Sequence, residues 1–212
     1  MRTFRHWTPR YLKDKLVSNI YRKKFPNRPW LTPAANEFLI SFLKESDIGL
    51  EFGSGKSTLW FTKRIQHLTS IEHNETWYQK VQQMLQESGQ KNVNYSCHPR
   101  EQDGDGSVSA YVMQAGQFTS ESLDMVLVDG IYRDYCALKA LKLIRPGGIL
   151  VIDNVNNYLP SDSIAPNSRS FADGPKGEVW AQVYQVLSSW RMIWSSCRVW
   201  DTAIYIRPCS DP

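Results

Sequence analysis

The sequence is poor in cysteine. Four are spread along 212 residues (Cys97, Cys136, Cys197, Cys209), with no C-x-x-C pair. That scatter gives neither a disulfide framework nor a zinc-ligand set, and a reducing compartment, the cytoplasm, is the default expectation. No apolar run approaches the roughly 18 residues a bilayer span needs. The opening MRTFRHWTPRYLKDKLV lacks the unbroken apolar centre of a secretory signal. Internal repeats are absent too. Acidic residues are scarce at one end only. Residues 1–32 hold nine Lys/Arg and one Asp, a charge of +8; the whole chain is +4, so residues 33–212 carry −4. A basic arm (1–32) thus precedes a mildly acidic domain (33–212). Two readings of the arm stay open: a solvated helix laid over the domain, or a contact for an anionic partner such as a membrane surface. Nucleic acid is not expected, because the basic excess stops with the arm.

What is present is an ordinary globular composition, 42% apolar and 22% charged, long enough for one α/β domain. The helical spacing of Leu12, Leu16, Ile20 and Tyr21 predicts a helix over 11–24, stopped by Pro26. LTPAANEFLISFLKES predicts a second, with Thr32 as N-cap, Pro33 in the first turn, and Phe38, Leu39, Phe42 and Leu43 on one face. Strands and helices then alternate. IGLEF, LTSIE, NVNYSC, LDMVLVDG and GILVIDN read as strands. The segments after the first, second, fourth and fifth read as helices, over 56–64, 74–89, 132–145 and 178–190. RMIWSS and VWDTAIYIRP sit too close for a helical crossover and should form an antiparallel hairpin. The pattern predicts a Rossmann-like, doubly wound, mostly parallel seven-stranded sheet with that hairpin and N-terminal helices. Two stretches break it, 98–118 and 156–177. Each follows a strand's carboxyl end, the side where such sheets bind ligands, and loops of that length are commonly functional or mobile.

The stretch IGLEFGSGKSTLWF contains GSGKST. A phosphate loop requires G-x-x-x-x-G-K-[ST], and its first glycine would fall on Leu50. The turn is also too short to wrap a phosphate. What remains is acid-x-Gly-x-Gly at a strand end, Glu51-Phe52-Gly53-Ser54-Gly55, with a second acid, Glu72, closing the next strand 21 residues on. The glycines of the Gly53-Ser54-Gly55 turn admit a ligand where a side chain would block it. Glu72 can accept both hydroxyls of a ribose, and Glu51 can bind an ammonium directly or through water. Adenosine plus an ammonium without phosphate describes S-adenosylmethionine. Ser57 and Thr58 would offer backbone N–H groups to its carboxylate. His73 would touch the adenosine or cap the next helix. His98 would reach the adenine edge or sit in an exposed loop. Trp77 would wall the adenine or pack in the core.

On these residues the chain resembles the Rossmann-like, class I S-adenosylmethionine-dependent methyltransferases. LEFGSGKST is similar to their first motif, SIEH to the second, DMVLVDG to the fourth and LIRPGGILVIDN to the following segment; Ser57 departs from the third glycine many members have. VDGIYRDYCALKALKLIRPGGILVIDNV looks most like the small-molecule O-methyltransferases, which implies methyl transfer to a hydroxyl of a small-molecule acceptor.

A hydroxyl nucleophile needs a proton acceptor or a metal. The candidates are Asp129, Asp153 and Asn154, at the carboxyl ends of the fourth and fifth strands. The resemblance implies that these three hold a divalent metal in catechol-type members; two carboxylates and an amide oxygen suit Mg²⁺. Without a metal, Asp129 is the first choice of base or orienting group, also touching the cofactor, with Asp153 next and His98 after it. Tyr132, Arg133, Asn154 and Tyr158 are the candidate substrate residues; Arg133 would hold a carboxylate or phosphate, or pair with Asp134. A non-catalytic membrane-surface or scaffold protein built on the same fold is the alternative reading.

Overall fold

The computed structural model describes residues 7–100 and 106–209. Two helices come first, α1 (Pro9–Lys24) and α2 (Pro33–Phe42). There follow β1 (Ile48–Phe52), α3 (Lys56–Phe61), β2 (His67–Glu72), α4 (Glu75–Ser88), β3 (Val93–Cys97), α5 (Ala110–Met113), β4 (Leu123–Val128), α6 (Arg133–Leu143), β5 (Ile144–Asp153), α7 (Gly177–Leu187), β6 (Arg191–Ser196) and β7 (Asp201–Ile206). The sheet order is β3-β2-β1-β4-β5-β7-β6. β1 to β5 pair in parallel, and β7 runs antiparallel between β5 and β6. The expected fold class is the observed one, and the chain reverses between β1 and β4. Ligands bind at such a switch point in open α/β sheets.

The central strands are buried on both faces, so they read as continuous apolar runs. Their period of two is still visible in what each side chain meets. Val126, Val128, Leu150 and Ile152 join the core under α5, α6 and α7; Met125, Leu127, Ile149 and Val151 join the opposite core, with Leu39 of α2 and Trp60 and Phe61 of α3. Leu123 breaks the rhythm by joining the first core, because the pairing of β4 with β5 slips between Leu123 and Met125.

Local signals explain the helix ends. Thr8 caps α1, accepting from the Tyr11 N–H, with Pro9 in the first turn. Asn74 caps α4 by accepting from the Trp77 N–H, and Gly89 ends it in the left-handed conformation. Thr32 does precede α2, but its hydroxyl turns to Ser195 and its N–H donates to Thr202, so it ties the helix to β6 and β7 instead of capping it. Several elements are shorter than the periodicity predicts. α3 stops at Phe61, α6 at Leu143 and α7 at Leu187, and Arg145 to Gly148, read as the end of a helix and a breaker, belong to β5.

The two long stretches carry structure of their own. Within 98–118, α5 and a 3-10 turn bury Tyr111, Val112 and Ala115 in the core; residues 101–105 of that stretch lie outside the described residues. Residues 156–177 are tied to their surroundings by hydrogen bonds. Asn156 is buried, its amide donates to the Pro166 carbonyl and the Ser168 hydroxyl, and the Asp201 N–H donates to it. Arg169 N–H donates to the Asn156 carbonyl, and Lys176 N–H to the Tyr158 carbonyl.

Candidate active site

Five residues of β1 end in Glu51 and Phe52, and Gly53 follows at φ +94° with its N–H donating to the Ile71 carbonyl of β2. A Cβ on Gly53 would lie 2.6 Å from the Gly130 backbone nitrogen. The turn is glycine there because its backbone crosses tightly over the end of β4. Gly55 differs: its backbone is extended and a Cβ would meet only the Trp77 ring, at 3.7 Å.

Glu51 is fully buried. Thr58 and Ser70 hydroxyls donate to its Oε2 at 2.5 and 2.6 Å, whereas Oε1 has no hydrogen-bond partner among the described residues. Burial pushes its pKa up to about 7, against the pull of the nearby Ser57, Ser70 and Thr58 hydroxyls. Thr58 also accepts from the Gly55 N–H at 2.9 Å. The Ser57 and Thr58 side chains are therefore buried beneath the turn. Glu72, at the tip of β2, is almost saturated. His73 and Asn74 N–H donate to Oε1 at 2.8 and 2.9 Å, and the Ser54 N–H and hydroxyl donate to Oε2 at 3.0 and 2.8 Å. Burial works against the charge, but these donors, with His73 Nδ1 at 3.0 Å, hold its pKa down at about 2. Glu72 is a fixed anion.

A crevice of about 630 Å³ opens above these groups, lined by Gly53, Ser54, Glu72, His73, Trp77 and, across the switch point, Asp129 and Gly130. Its lining also takes in Asn74, Thr76 and Lys80, which the sequence pattern did not single out. Trp77 is clamped as one wall by its indole N–H donating to the Ser54 carbonyl at 2.9 Å. Glu51 and His98 are not among the lining residues; His98 N–H extends the sheet by donating to the Glu72 carbonyl. Tyr111, missed because its segment carried no period, is fully buried with an unpartnered hydroxyl. That oxygen lies so near Gly130 that a Cβ there would be 1.9 Å away.

At the next strand ends, one cation organises the acids. Arg133 donates from Nη2 to the Asp129 carbonyl (2.7 Å) and carboxylate (2.8 Å), from Nε to the Gly130 carbonyl (2.9 Å), and from Nη1 to the Asp153 carbonyl (2.5 Å), with Asn154 Oδ1 at 3.5 Å. The Asp129 carboxylate, the Asp153 main-chain carbonyl and, at longer range, the Asn154 amide oxygen thus meet around a guanidinium, while the Asp153 carboxyl is turned to Thr202. Asp153 is 5% exposed, accepts from the Thr202 hydroxyl at 2.7 Å, and has its pKa pushed up to about 8 by burial, with the Asp129 charge adding to it. The Asp129 side chain keeps a third of its surface open, yet sits low enough between strand ends for desolvation to raise its pKa, with Arg133 opposing. Tyr132 and Asn154, just beyond the ends of β4 and β5, both adopt left-handed backbone (φ +47° and +52°). Such a conformation is uncommon for a bulky tyrosine, and clusters of it mark functional turns.

A second cavity of about 350 Å³ lies beside them, lined by Gly130, Ile131, Tyr132, Arg133, Asp134, Tyr158, Trp180, Arg100 and Lys176. Tyr158 stacks on Trp180 (centroids 5.0 Å apart), and the Arg133 and Lys176 cations lie 5.9 and 5.5 Å from its ring. Gly130 belongs to both cavities.

Residues 50–155, half of the chain, match the family model of a methyltransferase domain. No curated protein matches. Among solved structures, a methyltransferase-like protein from Silicibacter pomeroyi is 25% identical, with 88% of this chain and 92% of that one aligned and a TM-score of 0.52. A caffeoyl-CoA O-methyltransferase-like protein from Staphylococcus aureus (15% identity, 92% and 99% covered, TM-score 0.57) and an S-adenosylmethionine-dependent methyltransferase from Aquifex aeolicus (14%, 92% and 97%, 0.52) share the fold. The matched residues contain β1, the glycine turn and the ends of β4 and β5, and the sheet around them has the order described: the chain belongs to the methyltransferase-domain family, as a Rossmann-like, class I S-adenosylmethionine-dependent methyltransferase.

Proposed function

We propose that this chain transfers the methyl group to a hydroxyl of a small-molecule acceptor, without a divalent metal. The observation that carries this reading is the meeting of two cavities at Gly130, beside Asp129. A crevice built on a cramped glycine turn and a fixed anion suits the nucleoside and amino-acid portions of S-adenosylmethionine. Bound there, the cofactor supplies an activated methyl group, and the chain's own task is alignment. Glu72 is the ribose acceptor, with Ser54 giving way to the diol. Gly53 keeps the floor open. Unpartnered Glu51 Oε1 serves from below through water, since it does not line the crevice. The second cavity, walled by Tyr132, Tyr158 and Trp180, holds a planar or sugar ring, and Arg100 and Lys176 favour an anionic substituent on it.

Asp129 is the proton acceptor in this scheme. Its raised pKa improves it as a base, and Arg133 fixes its direction. The three oxygen-bearing residues fit a metal poorly: the Arg133 cation already lies among them, and the buried Asp153 carboxyl accepts from the Thr202 hydroxyl. Asp153 and Asn154 are then positioning residues, acting through Arg133. The O-methyltransferase-like neighbour supports oxygen as the acceptor atom.

Two measurements test this. Calorimetry with S-adenosylhomocysteine should show binding, weakened about ten- to a hundredfold in Glu72→Gln, the 1–3 kcal/mol scale of a bond to a charged acceptor; no heat at millimolar product defeats the cofactor site. Transfer of labelled methyl to a panel of phenols and glycosides should survive a chelator. Loss of turnover restored by Mg²⁺ would reinstate the metal.

A further inference from the structure

α1 is docked with its polar side inward. Ser18 is buried. The Arg22 guanidinium sits between the Trp30 and Trp200 rings, 4.7 and 4.3 Å from their centroids. Leu12, Leu16, Val17 and Ile20 instead point to solvent, 46–60% exposed. At helical spacing these four share one face, and Lys13, Lys23 and Lys24, all exposed, fall on it too. A helix made stable by packing buries its apolar stripe; this one presents it, studded with cations.

A second feature adjoins this face. A groove of about 560 Å³ between the end of α1 and α3 is lined by Lys24, Arg28, Lys56, Lys63 and Arg64 and by no acidic residue. Lys56 donates to the Pro26 carbonyl and Arg28 pairs with Glu37 outside the groove. Lys24 belongs to both the groove and the outward face of the helix.

We propose that α1 and this groove dock on an anionic lipid surface, with the four apolar side chains entering the headgroup boundary and the lysines meeting lipid phosphates. Charge complementarity selects this occupant. An exposed helix face that mixes aliphatic and cationic side chains suits a membrane interface, the aliphatic chains entering it and each lysine near the surface adding to the attraction. A second copy of the chain fits less well, because a two-fold contact through this face would bring the lysines of one copy (Lys13, Lys23 and Lys24) against the same set on the other, with no exposed acid on the helix to offset them. The only acid in α1, Asp14, is half-buried and ion-paired with Arg10.

The test uses the whole chain and sedimentation with vesicles. Vesicles of equal parts phosphatidylcholine and phosphatidylglycerol should carry the protein down, and phosphatidylcholine alone should not. Binding should weaken with salt. Leu16→Glu with Ile20→Glu, and separately Lys24→Glu with Lys63→Glu, should each reduce binding at least tenfold with melting temperature unchanged, since all four positions face outward or line an open groove. Equal binding to both vesicle types, or none to either, overturns the proposal. So does a dimer in sedimentation velocity that Leu16→Glu dissolves, which would assign the face to a second copy.

Discussion

At the scale of single residues, the two glycines of the turn make unlike demands. Gly53→Ala forces left-handed backbone on a residue with a Cβ and drives that carbon into the Gly130 backbone. A loss above about 1 kcal/mol follows, a fall of at least ~2 °C in melting temperature for a chain of this size. Gly55→Ala makes only ordinary contact with Trp77, so its melting temperature should stay within a degree or so of the parent, about ±0.5 kcal/mol. Equal losses would mean that the turn is not shaped as described. The buried acids make a second prediction. Asp153 and Glu51 have folded pKa values near 8 and 7, above those of the unfolded chain. The folded state therefore keeps protons that the unfolded state releases, and stability falls as pH rises from about 4 towards 8. Glu72 has the opposite sign: its contribution is present above the unfolded value of 4.5 and is lost as pH falls towards about 2. Melting curves should show the wild-type chain weaker at pH 8 than at pH 6, and Asp153→Asn should flatten that slope while keeping the acceptor for Thr202. An unchanged slope would clear Asp153 of holding the proton.

At the scale of elements, the order of strands and helices was legible because buried strands and half-buried helices have different periods, as in LDMVLVDG against NETWYQKVQQMLQESG. Gly53 and Glu72 were legible as neighbours because an acid and a side-chain-free turn fall at consecutive strand ends, and both line one crevice; Glu51, read with them, lies buried and outside its lining. What escaped was whatever depends on contacts across the chain. Thr32 reads as a cap, but Thr202 and Ser195 recruit it. Arg133 reads as a substrate residue or a partner of Asp134; it does line the second cavity, but its ion pair is with Asp129 and it also donates to strand-end carbonyl groups. The inward side of α1 could not be read from Leu12, Leu16 and Ile20, since periodicity gives a stripe and not its direction. Arg133→Met should thus act on the whole strand-end assembly: it leaves the Asp129 carboxylate without its cation and abolishes turnover, while S-adenosylhomocysteine affinity falls less than in Glu72→Gln, because Arg133 does not itself line the crevice and reaches it only through Asp129 and Gly130. Retained turnover would remove Arg133 and Asp129 from the proposed chemistry. Arg22→Ala should loosen α1 from Trp30 and Trp200 and expose their indoles, raising their quenching by iodide; an unchanged quenching constant would deny that this cation pins the helix.

At the scale of the molecule, the two faces of the sheet carry separate cores, and the crevice, the second cavity and α1's anchoring arginine all gather at one edge, where strands β1, β2, β4 and β5 end. Lipid docking through α1 would bring that edge near the bilayer and favour acceptors that partition there. The insertion of β7 between β5 and β6 also has a bearing on synthesis. As the chain leaves the ribosome, β5 emerges with a bare flank and β6 has no neighbour, and neither lack is mended until residues 201–206 arrive. Halting translation before Asp201 should leave a nascent chain with a sticky, solvent-open ladder that recruits chaperones, and release of those chaperones should coincide with the appearance of β7.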